Sequence, residues 1–182
     1  MQKNNYTIIS FFLLALVLFS RLMPHAPNFT PLIAVILFSS MVFKNRVYML
    51  IPIAALLISD ILLQYYSGYQ YIFSSVFFWT YGSLFLIFVF SYFYGRELSF
   101  KNIMIKSLSG AIIFFLVSNF GVWIASPAYP LNLSGLVACY TAAIPFFRNT
   151  LSSTIIYSII LFAPILLKSK DAILDSIISK NS

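Results

Sequence analysis

Six apolar runs, at about residues 6 to 22, 30 to 43, 47 to 64, 71 to 94, 103 to 125 and 150 to 167, are separated only by short stretches carrying charge, Gly or Pro. A helix that crosses a hydrocarbon core on the order of 30 Å thick needs roughly 20 apolar residues, because each residue rises about 1.5 Å. The runs take up most of the 182 residues, of which 61% are hydrophobic and 8% charged. A water-soluble domain of this size has no core large enough to hide that much apolar surface. The pattern therefore predicts an all-α integral membrane protein with six transmembrane helices. Residues 1–168 form one transmembrane domain, and too little lies between the spans for a separate catalytic domain. The second run is short, but it has a helix start: Asn28 or Thr30 can cap, with Pro31 in the first turn, where its missing N–H costs nothing.

The net charge of +7 is spread over eleven basic residues set between apolar runs. That makes no groove-sized basic stripe and excludes nucleic acid as a partner. These charges read as topology signals instead. With both termini cytoplasmic, Lys3, Lys44, Arg46, Arg96, Lys101, Lys106, Lys168, Lys170 and Lys180 lie inside, and only Arg21 and Arg148 outside. A further apolar stretch, "PLNLSGLVACYTAAIPFF" at 130–147, would worsen this split to seven against four if it crossed. It is expected to be re-entrant or interfacial on the outer side, which implies a cavity covering its backbone. The first run follows a single Lys3 and lacks a small-x-small cleavage site, so it reads as a retained helix rather than a signal peptide. Cys139 stands alone, which rules out an internal disulfide and, with one His, is too little for a metal or haem site. Residues 169–182 follow the last span, and the stretch "KSKDAILDSIISK" at 168–180 places Ile173, Leu174, Ile177 and Ile178 on one helical face, the pattern of a short cytoplasmic amphipathic tail.

On this topology the unusual polar residues converge on the outer half. Arg21, His25 and Asn28 lie in "RLMPHAPNFTPL" between spans one and two, a loop stiffened by three prolines. Asp60 is the one acidic residue in any span, with Gln64 a turn later on the same face. Asn119 and Trp123 close span five, and Tyr129, Tyr140, Arg148 and Asn149 follow. A lone carboxylate at membrane depth costs roughly 2.5–3.5 kcal/mol, so Asp60 should face Arg21 or Arg148 rather than lipid. One acid cannot neutralise two arginines, and a spare guanidinium beside a cavity suits an anionic ligand group. These ten residues, Gln64 aside, form the candidate binding set. The plainer reading is that Asp60 and an arginine only staple helices together.

The segments "RLMPHAPNFTPLIAVILFSS", "LLISD", "SNFGVW" and "YPLNLSGLVACYTAAIPFFRNT" together resemble a domain-of-unknown-function family of small bacterial membrane proteins carrying a transport-protein label, over residues 8 to 167. That family is similar in size, topology and pocket side to the substrate-binding S components of energy-coupling factor (ECF) vitamin transporters. The resemblance implies six helices in the bacterial cytoplasmic (inner) membrane and capture of a small vitamin-like or precursor molecule near the outer face, with no cofactor. It also implies an ATPase-coupled transmembrane coupling subunit as partner. Such S components carry an Ala-x-x-x-Ala seam on the first helix, whereas "FFLLALVLFS" offers only Ala15.

Three functions are thus set against one another. The first is a small-molecule uptake protein or its binding component. The second is a non-enzymatic structural or assembly subunit. The third, an enzyme using Cys139 with His25, needs a thiol, a base and an orienting group together, and the sequence does not bring these together. The expectation is a protein that is not an enzyme.

Overall fold

The computed structural model describes the backbone of residues 3–43, 46–68 and 70–178, and the side chains of these from 6 to 168 apart from 46 and 49. Among these residues the chain forms six α-helices and one 3-10 turn. They are α1 Lys3–Leu22, α2 Leu32–Val42, the turn Arg46–Leu50, α3 Ile51–Ser67, α4 Ser75–Phe93, α5 Phe100–Ala125 and α6 Leu133–Ile178. Local chemistry accounts for most of the ends. Ser74 and Ser99 accept from the backbone N–H of Phe77 and Asn102 at 3.2 Å, capping α4 and α5. Pro52 lies in the first turn of α3, and Gly68, at φ 70°, closes that helix in the left-handed conformation.

The start of α2 departs from expectation. Pro31 itself is the N-cap, and no side chain caps the helix. Asn28 instead takes a left-handed φ of 62° in the connection before it, a conformation that asparagine tolerates better than most residues.

Three helices are long and apolar enough to cross a membrane, Ser75–Phe93, Phe100–Ala125 and the Leu133–Lys168 part of α6, which marks the chain as a membrane protein. The apolar stretches Tyr6–Leu22, Leu32–Val42 and Ile51–Ser67 are shorter. Large apolar side chains such as Phe11, Ile61, Phe78, Phe85 and Ile160 cover the exposed surface, as lipid contact requires.

The shortest helix is also the central one. Every residue from Leu32 to Met41 is buried, because α2 packs against α6, α4, α3, α5 and α1 in turn. A helix apolar on all sides needs such a sheath. At 11 residues, α2 is about 16 Å long and stops well inside the bundle. Its N-terminus therefore opens on an internal space rather than on bulk solvent.

The structure corrects the expectation for residues 130–147. From Leu133 onward this stretch is helix, continuous with the last apolar run as the single 46-residue α6, not a re-entrant loop or a separate interfacial segment. Pro145 and Pro164 lie inside it. A proline removes one intrahelical bond, and neighbouring helices can support the ladder around it. Beside Pro145, Phe115 of α5 packs its ring against both Tyr140 and Phe147, with centroids at 5.4 and 4.7 Å. The backbone of α6 runs on through Ile178, into the expected amphipathic tail. The side chains of Ile173, Leu174, Ile177 and Ile178 lie outside the described residues.

At the other end of the bundle Lys106, read from sequence as one of the inner-side topology charges, is fully buried. Its ammonium donates to the Ser91 carbonyl at 2.9 Å and to the Gly95 carbonyl, and it lies 5.6 Å from the centre of the Tyr94 ring. It thus satisfies the open carbonyls at the C-terminus of α4, where the helix dipole favours a cation. Ser91 extends the network to Ser40 of α2 at 2.6 Å.

Candidate functional site: a polar chamber at the N-terminus of the central helix

The space above α2 is a cavity of about 330 Å³, within the range of small-molecule sites. Arg21, His25, Asn28 and Thr30 line it from the α1–α2 connection, and Leu32 and Ile33 form its floor. Asp60 and Leu63 face it from α3, and Tyr71 and Thr80 come from α4 and the loop before it. Thr150, Ser153 and Thr154, at i, i+3 and i+4, supply a hydroxyl-bearing stripe of α6.

One charged pair organises the wall. The Arg21 guanidinium is hydrogen-bonded to one Asp60 carboxylate oxygen, and the Tyr81 hydroxyl donates to the other at 2.9 Å. Asp60 is buried, and both of its oxygens are occupied, so three helices meet on one carboxylate. Gln64 serves the architecture: its side-chain oxygen accepts from the backbone N–H of Tyr71 and Ile72 at 3.0 and 2.9 Å, fixing the loop into α4. His25 Nδ1 lies 2.8 Å from the Met23 carbonyl. A carbonyl only accepts, so that nitrogen carries the proton.

Of the residues expected from sequence, Arg21, His25, Asn28 and Asp60 line the chamber. Asn149 supports it from behind, donating to the Pro27 carbonyl at 2.9 Å. Four others belong to the α5–α6 seam or its connection. Asn119 donates to Phe115 O at 2.8 Å, Trp123 to Pro130 O at 3.0 Å and Tyr140 to Leu116 O at 2.6 Å, while Tyr129 is half-buried in the connection. Arg148 is exposed on α6 and makes no ion pair among the described residues. The spare guanidinium inferred from the charge count is thus not brought to the chamber. Cys139 is held against the Asn119 carbonyl at 3.5 Å, apart from the chamber that His25 lines.

Sequence reasoning missed Tyr81 and the Thr150, Ser153 and Thr154 stripe. The stripe was legible: in "RNTLSSTII" three hydroxyls share one face of an otherwise apolar helix. Two polar atoms here have no partner among the described residues. The Arg21 Nε and the Thr154 Oγ1 are both sealed from solvent and make no hydrogen bond.

Residues 1–174 match a family of unknown function (DUF6580), and the chain belongs to that family. No curated protein and no solved structure matches it.

Proposed function

We propose that this member of the family is a multi-pass transport protein that holds a small molecule in the chamber above α2 for passage across the bacterial cytoplasmic membrane. The observation that carries the reading is the chamber itself. A polar cavity of about 330 Å³ opens within an apolar bundle, at the blunt end of a helix too short to fill it. Polar and ionisable groups at membrane depth are costly, and where they gather around a cavity they mark a substrate path. On a six-span reading with both termini inside, the chamber would lie on the outer side, where uptake begins. The resemblance to ECF S components read from the sequence would give the protein the role of substrate-binding component, energised by an ATPase-coupled membrane partner. Because α1 has only Ala15 where a small-residue seam is usual, that partner would dock differently or the protein would act alone.

The structural-subunit reading draws on the Arg21, Asp60 and Tyr81 junction, which ties α1, α3 and α4 together with no ligand needed. Mass spectrometry of small molecules co-purifying with the protein separates the two. Wild type should retain a compound that is lost from Thr30→Trp, which fills the chamber from the connection, with both proteins equally folded. Equal small-molecule content in the two would remove the chamber as the site and favour the structural subunit.

A further inference from the structure

The chamber carries a feature that neither the charged pair nor the packing uses. A helix leaves its first-turn amides without intrahelical acceptors, and a buried helix end with no cap is rare because each unpaired donor is costly. The N-terminus of α2 is such an end. Pro31 provides no capping side chain and no N–H, so Leu32, Ile33 and Ala34 present their amides uncapped, two of these residues forming the chamber floor. The same chamber is lined by Thr154, 1% exposed, whose hydroxyl has no partner among the described residues. Two independent sets of unused donors thus border one small cavity. Arg21 adds a further unpartnered donor among the described residues, its Nε, but no net charge, since that is met by Asp60. The chamber wall is formally neutral in this pair, and what remains is the partial positive charge of the α2 terminus.

We infer that this end of the chamber is an oxyanion seat that takes the single carboxylate of the bound molecule, held by the first-turn amides of α2 and the Thr154 hydroxyl. The inference rests on the binding-protein reading above and names the class of its substrate, a small monocarboxylate. A singly charged carboxylate accepts several hydrogen bonds in one plane and balances the helix terminus. A dianionic phosphate would leave an excess negative charge in a cavity where, among the described residues, the Arg21 charge is already met by Asp60.

The test uses the purified full chain in detergent and three size-matched pairs: benzoate and benzamide, cyclohexanecarboxylate and its carboxamide, and indole-3-acetate and indole-3-acetamide. Calorimetric Kd values and ligand-induced shifts in Tm are compared across each pair. The acids should bind more tightly than the amides. Thr154→Val should weaken acid binding about tenfold, the loss of one charge-assisted hydrogen bond. Thr154→Ser, which keeps the hydroxyl, should retain the preference for acids. Thr154→Val should also raise the Tm of the ligand-free protein, because it removes a buried hydroxyl that bonds to nothing, so loss of binding cannot be mistaken for loss of fold. Amides that bind as well as acids, or an acid preference that survives Thr154→Val, would overturn the seat. If amides bind and Thr30→Trp abolishes that binding, the seat fails while the binding-protein reading stands. If none of the six compounds binds, the seat fails, and co-purification then decides the wider reading separately.

Discussion

The Asp60 carboxylate shows how one buried charge can be both a necessity and a liability. It is 3% exposed, with the Arg21 guanidinium on one oxygen and the Tyr81 hydroxyl on the other. Attraction across such a pair roughly offsets the desolvation of its members, so the pair adds little by its presence, but breaking it strands a charge. Asp60→Asn should therefore destabilise the protein by on the order of 3 kcal/mol, whereas Tyr81→Phe should cost about 1.5 kcal/mol for one hydrogen bond to a charged group. The double variant Arg21→Met with Asp60→Leu should be more stable than Asp60→Asn alone. Thermal unfolding of the three in one detergent checks the order, and a double variant less stable than the single would mean that the pair contributes net stability. The sequence showed that Asp60 needed a basic partner, and offered two. What selects Arg21 is the side-by-side packing of α1 and α3, a fact of tertiary structure that no local pattern encodes. Arg148, equally available by charge count, faces away on α6.

At the scale of elements, contact between helices depends on where side chains are absent. Gly121 of α5 receives the Trp79 side chain of α4 so closely that a Cβ there would lie 2.1 Å from the ring. Gly82, a turn further along α4, has nothing within 4 Å of the same position. The two glycines make a matched comparison. Gly82→Ala should raise Tm slightly, since alanine favours a helix interior by about 0.5–1 kcal/mol. Gly121→Ala should lower it, because overpacking by roughly 1–3 kcal/mol outweighs that gain, and Trp79→Leu should restore part of the loss. Equal behaviour of Gly121→Ala and Gly82→Ala would show that α4 and α5 do not meet at that level. Capping chemistry sets helix ends at Ser74, Ser99 and Gly68, three or four residues from the ends of the corresponding apolar runs at 71, 103 and 64. The start of α2 was misplaced for another reason. Thr30 and Asn28 looked like caps for α2, yet the chain turns into the helix at Pro31 without one. Residues 130–147 looked like a re-entrant loop because charge counting penalised a separate crossing, and counting cannot distinguish a loop from a longer helix that turns no corner. The chamber was half legible for the same reason. The loop "RLMPHAPNFTPL" announced itself by composition, whereas the hydroxyl stripe on α6 was hidden in common residues whose meaning lies in their spacing.

The whole molecule turns on how much of it lies in the bilayer. The described apolar part of α6, Leu133–Lys168, has 36 residues, or about 54 Å of helix against a hydrocarbon core on the order of 30 Å. Such a helix must tilt, bend at a proline or project beyond the core. Its contacts indicate where the core lies. Asn149 meets the α1–α2 connection at Pro27, and Ser158 meets Ser107, so the part of α6 after Asn149 runs beside the helices that enclose α2, while Leu133–Phe147 follows the last turns of α5. On the six-span reading, the α5–α6 connection is outside and the loop before α5 is inside, with Arg96 and Lys101 retained there by the positive-inside rule. Ala128, exposed in the α5–α6 connection, and Lys101, exposed at the start of α5, are then separated by one crossing. In a Cys139→Ser background, Ala128→Cys in intact cells should react with a membrane-impermeant maleimide, while Lys101→Cys should react only after permeabilisation. Reaction of both from outside would mean that α5 does not cross, and the chamber would no longer lie on a side fixed by that helix. The opposite pattern, Lys101→Cys reactive in intact cells and Ala128→Cys protected, would keep the crossing but turn the chamber toward the cytoplasm, making release or export, rather than capture from outside, the step that the bound molecule serves.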